Sequence, residues 1–408
     1  MTRLAAIRRI VQDGRAFLAM SLLAPVSIAW PGCTGQLGGA PPRSMDLGLE
    51  DGRVLDADDT GRPDGDVGVD VPPVPVDGPM TPPDLGPDGP TDAGPSGSCA
   101  SVRCGDGERC EPHTGRCVCS PGFVSTGTGC RPAPVGDPTA RTAEEVCMRW
   151  REDRMERAES PWNPGTSMCD PGSVPGASVE DTLRRVNLYR WLNGLPPVTE
   201  AEDARTMVQE CALMMSVNGM IDHYPPMSWQ CYTGEGAAGA GSSNLAIGVA
   251  SAAEGVDLFM MDFGVPSLGH RRWILNVPLG RVGVGYARAS WRGASCLGIL
   301  DFSGMGDRVW TSFPNPGFAP SFIASATWSF HSSAWSLADS AVRVVRADDG
   351  VELPVTVYYP TSLGGFGGNA VAWNPMGWTP ASGVRYRVTI SGGGITTPIS
   401  YEVEFVDC

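Results

Sequence analysis

Thirteen cysteines in 408 residues constrain this chain more than any other residue type, because they fall into three groups. Cys33 stands alone. Cys99, Cys104, Cys110, Cys117, Cys119 and Cys130 form a dense set, and Cys147, Cys169, Cys211, Cys231, Cys296 and Cys408 a dispersed one. An odd total that leaves two even sets once Cys33 is removed is the arithmetic of disulfides in an oxidising compartment, and neither set has the spacing of zinc ligands. The chain therefore reads as exported, to the cell envelope or beyond.

The N-terminus supports that reading. Arg3, Arg8, Arg9 and Arg15 precede a mostly apolar run from Ala16 to Trp30, which is the order of an export signal, and the run is too short and too broken by proline to cross a bilayer. Cys33 follows Gly32 and resembles the lipid-attached cysteine of a bacterial lipoprotein signal, which implies anchoring in the outer membrane; cleavage with free secretion is the alternative. Residues 34–98 alternate Asp, Gly and Pro, and such a composition cannot bury enough apolar surface to offset chain entropy, so it reads as a spacer. Between residues 45 and 95, thirteen acids stand against Arg53 and Arg62, so most of the formal charge of -15 sits there. The rest is near balance, all 30 basic residues are arginine, and no basic stripe with interleaved aromatics marks a nucleic-acid surface.

The dense set reads C-x4-C-x5-C-x6-C-x-C-x10-C, with Pro121-Gly122-Phe123 after its fifth cysteine. Six cysteines alone allow fifteen pairings. The spacing resembles an EGF-like module over 99–131, which implies bonds Cys99-Cys110, Cys104-Cys117 and Cys119-Cys130. Ser96-Gly97-Ser98 stands where calcium-binding modules carry acids, so a module without calcium is expected. For the dispersed set, pairing of sequence neighbours is expected: Cys147-Cys169, Cys211-Cys231 and Cys296-Cys408.

Between these sets runs a spaced series of motifs: Asn187-x-x-Arg190, His223-Tyr-Pro-Pro, Asn244 after a small-residue loop, Gly269-His270-Arg271-Arg272, and Val282-Gly283-Val284-Gly285-Tyr286. Only four histidines exist in the chain and two are in this series. In order and spacing the series resembles the CAP superfamily of cysteine-rich secretory, antigen 5 and pathogenesis-related proteins, in its bacterial form. The resemblance covers about 175–305 and implies an α-β-α sandwich within a domain of 140–310.

Local patterns agree with an α+β fold. Ser178-x-x-Asp181, Thr199-x-x-Glu202 and Ser251-x-x-Glu254 have the form of capping boxes, each predicting a helix start. Ala204, Met207, Val208, Cys211, Met214 and Met215 repeat at helical spacing and stop at Asn218-Gly219, the pattern of one buried helix face. After Pro278 the period changes to two. From 316 to 408 the text is strand and turn, with hairpin signals at Asp349-Gly350 and Gly392-Gly393-Gly394, and predicts an all-β sandwich in which His331 is structural.

The family resemblance implies a central cleft where two histidines and two acids bind a divalent metal. The matching histidines are His223 and His270. Of the acids, one position is occupied by Ser243, directly before Asn244, and the other falls near Asp262, with Glu235 as a substitute. His223, His270 and Asp262 could hold zinc or another divalent cation with an open water position; the competing reading is a pair of structural histidines without a cofactor. Ser243, His270 and Asp262 can also be written as a hydrolytic triad. There is no G-x-S-x-G elbow, phosphate loop or H-E-x-x-H. The sequence thus favours a protein that binds a cell-surface protein, glycan or lipid, with a metal-assisted or serine-type hydrolase of peptide or cell-wall substrates as the alternative.

Overall fold

The structure, a computed structural model, describes residues 99, 102–105, 107–111, 114–120, 123–133, 135–361 and 368–408. Cys33, the export signal and the acidic spacer lie outside the described residues.

The N-terminal part is two small antiparallel hairpins, β1 (Glu108–Glu111) with β2 (Arg116–Cys119) and β3 (Phe123–Ser125) with β4 (Cys130–Pro132). Bonds Cys99–Cys110, Cys104–Cys117 and Cys119–Cys130 close loops of 11 to 13 residues, the pairing stated above. So small a piece cannot build an apolar core, and cross-links replace one.

Six helices and a four-stranded sheet follow. Helix α1 (Ala143–Arg154) starts at a full capping box of Thr142 and Glu145. Helix α2 (Gly176–Leu192) is buried on several sides, leading to β5 (Thr199–Glu200) and α3 (Arg205–Asn218), which ends on Gly219 at φ 67. Then come α4 (Gly234–Gly241), β6 (Ser243–Ile247), α5 (Ala252–Met261), α6 (Gly269–Ile274), β7 (Arg281–Ala287) and β8 (Ala294–Gly298). The sheet runs β5-β7-β8-β6, parallel between β5 and β7 and antiparallel elsewhere.

The Val-Gly-Val-Gly-Tyr motif shows how the layers form. Val282, Val284 and Tyr286 enter a large core shared with α2 and α5. Gly283 and Gly285 point the other way, where a Cβ on Gly285 would lie 2.1 Å from the Val208 carbonyl of α3. Bare backbone therefore lets α3 sit directly on the sheet. Cys296 of β8 faces the same side and bonds Cys211 of α3.

Two expectations are corrected. The dispersed cysteines pair Cys147–Cys408, Cys169–Cys231 and Cys211–Cys296, not Cys147-Cys169, Cys211-Cys231 and Cys296-Cys408. Contact between layers, not distance along the chain, decides them. Of the three capping boxes, only Ser251 caps a helix, accepting from the Glu254 N–H. Helix α2 begins two residues before Ser178, and Thr199 lies in β5, with a 3-10 turn at Glu202–Ala204 before α3. A real box at Thr142 went unread.

The C-terminal strands form two sheets. One has order β10-β17-β16-β12-β13 and the other β14-β15-β11-β9. Their ranges are β9 (Thr311–Phe313), β10 (Gly317–Pro320), β11 (Trp328–Ser332), β12 (Ser340–Arg346), β13 (Glu352–Leu353), β14 (Val355–Tyr358), β15 (Asn369–Pro375), β16 (Arg385–Gly392) and β17 (Ile395–Val406). Trp328 of β11 packs on Tyr386 and Phe405 of the other sheet at 5.8 and 5.7 Å between ring centres. Strand β9 pairs with β11 and so starts this region before residue 316.

The helical and strand regions share one continuous core, from Val146 and Trp150 through Val282 to Phe405. Trp150 meets Phe322 at 5.6 Å, Asn193 accepts the Ser312 N–H at 3.0 Å, and Cys147–Cys408 closes the chain onto α1.

Candidate functional site

The helix motif Asn187-x-x-Arg190 holds backbone. Asn187 makes two hydrogen bonds to Val198, donating to its carbonyl at 3.0 Å and accepting its N–H at 2.7 Å. Arg190, fully buried, donates to the carbonyls of Pro196, Ile274, Asn276 and Leu279 at 2.8–2.9 Å. Burial alone pushes its pKa down to about 9.

The second half of the series surrounds His270. Helix α5 ends where Asp262 takes a left-handed conformation, φ 53, that turns its buried carboxylate back toward α6. Asp262 Oδ1 lies 2.7 Å from His270 Nδ1, and Oδ2 accepts the Arg271 N–H at 3.2 Å. The Phe259 ring backs the imidazole at 5.2 Å, and Asn244 donates to the His270 carbonyl at 3.1 Å. A carboxylate can only accept, so Nδ1 is the donor to Asp262 and Nε2 is the ring nitrogen left for a ligand, on a side chain 21 % exposed. The pair can orient an imidazole and accept a proton or a ligand hydrogen bond at Nε2.

The two arginines after His270 face inward. Arg271 donates to Met260, Met261 and Thr327 carbonyls and to Ser329 Oγ, and lies 4.0 Å over the Phe313 ring. Arg272 donates to Ser267 at 3.0 Å, to Thr361 at 2.8 Å and to Gly368. Burial lowers each to about 10, partly offset by Asp262. They stitch α6 to the C-terminal sheets.

The other predicted residues lie on or beside α4 and β6. His223 directs Nδ1 to the Ala240 carbonyl at 2.8 Å, on α4. Asn244 and Ser243 are neighbours on β6 and project to opposite faces. Asn244 takes the His270 side, while Ser243 is buried on the α3 side with no hydrogen-bond partner for its Oγ. The hydrolytic triad is thus not assembled: Asp262 and His270 meet, and Ser243 is turned away. Glu235 sits in the first turn of α4, after its Thr233 cap. Nor is the metal set His223, His270, Asp262 brought together, since among the described residues no three His, Cys, Asp or Glu side chains stand as a metal-ligand group. Asp262 has both oxygens engaged by His270 and the Arg271 amide.

Phe259 was not read from the sequence, although its place three residues before Asp262 on one helix carries the signal.

This part of the chain thus carries a four-stranded sheet packed with helices and an aspartate–histidine pair between α5 and α6. Residues 183–297 match the family model described as CAP, cysteine-rich secretory protein family, so this stretch is similar to CAP domains. No curated protein and no solved structure matches the chain.

Proposed function

We propose that the chain is an exported bacterial CAP-domain protein that acts by binding a cell-surface ligand, with an EGF-like module and a β-sandwich flanking its α-β-α sandwich. One observation carries this reading: the motif residues that could serve chemistry hold the fold instead. Asn187, Arg190, Asn244, Arg271 and Arg272 are all hydrogen-bonded to backbone, and among the described residues the side-chain partner of His270 is the Asp262 carboxylate, while the Ser243 hydroxyl bonds to nothing. Lipid attachment at Cys33 tethers the protein to the outer membrane through the acidic spacer. Intact-mass analysis of membrane-extracted protein checks the anchor: a lipid on Cys33 is expected, and a soluble mature chain starting elsewhere refutes it.

The Asp262–His270 pair favours a second reading, hydrolysis of peptide or cell-wall material by a water that His270 activates. Turnover lost in His270→Ala would establish it.

A further inference from the structure

A hollow of about 490 Å³ lies on the outer face of the five-stranded sheet, and none of its lining residues belongs to the His270 site. That volume is in the range of small-ligand sites, roughly 300–1,000 Å³. The alternation of β16 and β17 builds its floor. Tyr386, Val388, Tyr401 and Val403 point into the core, and Arg385, Arg387, Ser400, Glu402 and Glu404 point out. Phe318 and Gly317 of β10, with Thr139 of the 3-10 turn Pro138–Ala140, rise beside them as a wall.

The notch exists because β10 covers only the end of β17. Gly317–Pro320 pairs with Val403–Val406, so Ser400 to Glu402 run past the start of the neighbouring strand. The rim is fixed: Gly317 has φ +80, and a Cβ there would meet the Pro138 carbonyl at 2.6 Å.

Charge decides what such a site can take. Arg385 stands opposite Glu404 and Arg387 opposite Glu402, so each rung cancels its own charge and no net field attracts an ion. Hydrogen-bonding capacity does not cancel. Arg385 directs Nε and Nη2 to one oxygen of Glu404, at 3.0 and 2.7 Å, and Arg387 does the same to Glu402. A guanidinium carries five N–H groups and a carboxylate oxygen can accept more than one. Donors on both arginines and the second oxygen of Glu404 are therefore left over, the donors along β16 and the acceptor beside them on β17. The Ser400 hydroxyl, 2.8 Å from that of Thr389, adds a group that can give or receive. Arg343 with Glu352, a diagonal pair between β12 and β13 outside the hollow, is more open at its carboxylate: Glu352 is 62 % exposed, against 38 % for Glu402 and 22 % for Glu404.

We propose that this hollow is a second binding site, for a neutral polyhydroxyl ligand, a saccharide chain. Vicinal hydroxyls each donate and accept, which matches a row of guanidinium edges on β16 beside a row of carboxylate edges on β17, and Phe318 offers a ring to the C–H face of a sugar. The inference is independent of the CAP reading, because its residues come from the C-terminal sheet and the Pro138–Ala140 turn.

The test is an array of neutral hexose and N-acetylhexosamine oligosaccharides probed with the full chain, followed by titration of the retained glycan. Saturable binding is expected, indifferent to salt, unchanged in Arg343→Ala and weakened about tenfold or more in Arg387→Ala and Glu402→Ala, as loss of a charged hydrogen-bond partner requires. Retention of no neutral glycan overturns the proposal. So does retention equal in Arg387→Ala and Arg343→Ala, or retention only of anionic glycans or peptides. Thermal melts of both variants guard against a folding defect.

Discussion

Arg190 is surrounded by four carbonyls, and among the described residues no carboxylate pairs with it. Replacing it with methionine keeps the volume and leaves those carbonyls without donors. Arg190→Met should lower the unfolding free energy by about 3 kcal/mol or more, against no more than about 1 kcal/mol for the exposed Arg343→Ala. Chemical denaturation of the two variants checks this, and equal losses would contradict it. His331 couples stability to pH. It is fully buried on β11, beside Thr311 Oγ1 at 3.3 Å, and burial together with Arg272 and Arg271 drives its pKa well below the ordinary 6.5. The unfolded chain takes a proton near 6.5 and the folded chain does not, so this contribution to stability is complete above that value and shrinks as pH falls below it. Melting temperature followed downward from pH 7 should fall, and His331→Gln should flatten part of the slope. An unchanged slope in that variant would refute the assignment.

At the scale of elements, two glycines should not be equivalent. Alanine at 285 drives its methyl into the Val208 carbonyl at 2.1 Å, whereas at 298 the nearest atom is Val208 Cγ1 at 3.0 Å, a side-chain methyl that can turn. Overpacking of this kind costs about 1–3 kcal/mol, so Gly285→Ala should fall at the high end and Gly298→Ala at the low end. Thermal unfolding orders them, and the reverse order would contradict the close approach of α3. Legibility follows the same physics. The stripe from Ala204 to Met215 announced α3 and its stop, because helical period and a left-handed glycine are local signals. Ser178 and Thr199 misled, because a hydroxyl three residues before an acid caps a helix only if the chain enters there. Asp181 instead accepts the amides of Arg157 and Ala158.

For the whole molecule, the continuous core and the Cys147–Cys408 bond make the helical and strand regions one folding unit. A fragment of 140–310 should fail to fold alone, giving no cooperative melt, and a fragment that melts on its own would refute the unity. Removing Cys147–Cys408, which closes 261 residues, should cost about 5 kcal/mol. The sequence carried the motif series and hence the place of the site, but not its geometry. That Ser243 faces α3 while Asn244 reaches His270 depends on the pairing of β6 with β8, a long-range register that no local pattern states. The dispersed disulfides escaped for the same reason.

Binding without turnover can be checked with labelled cell-envelope material incubated with the full chain and with His270→Ala. Label should be retained by the protein, and no cleaved product should accumulate with either. A product released by the unaltered chain and lost in His270→Ala would contradict it.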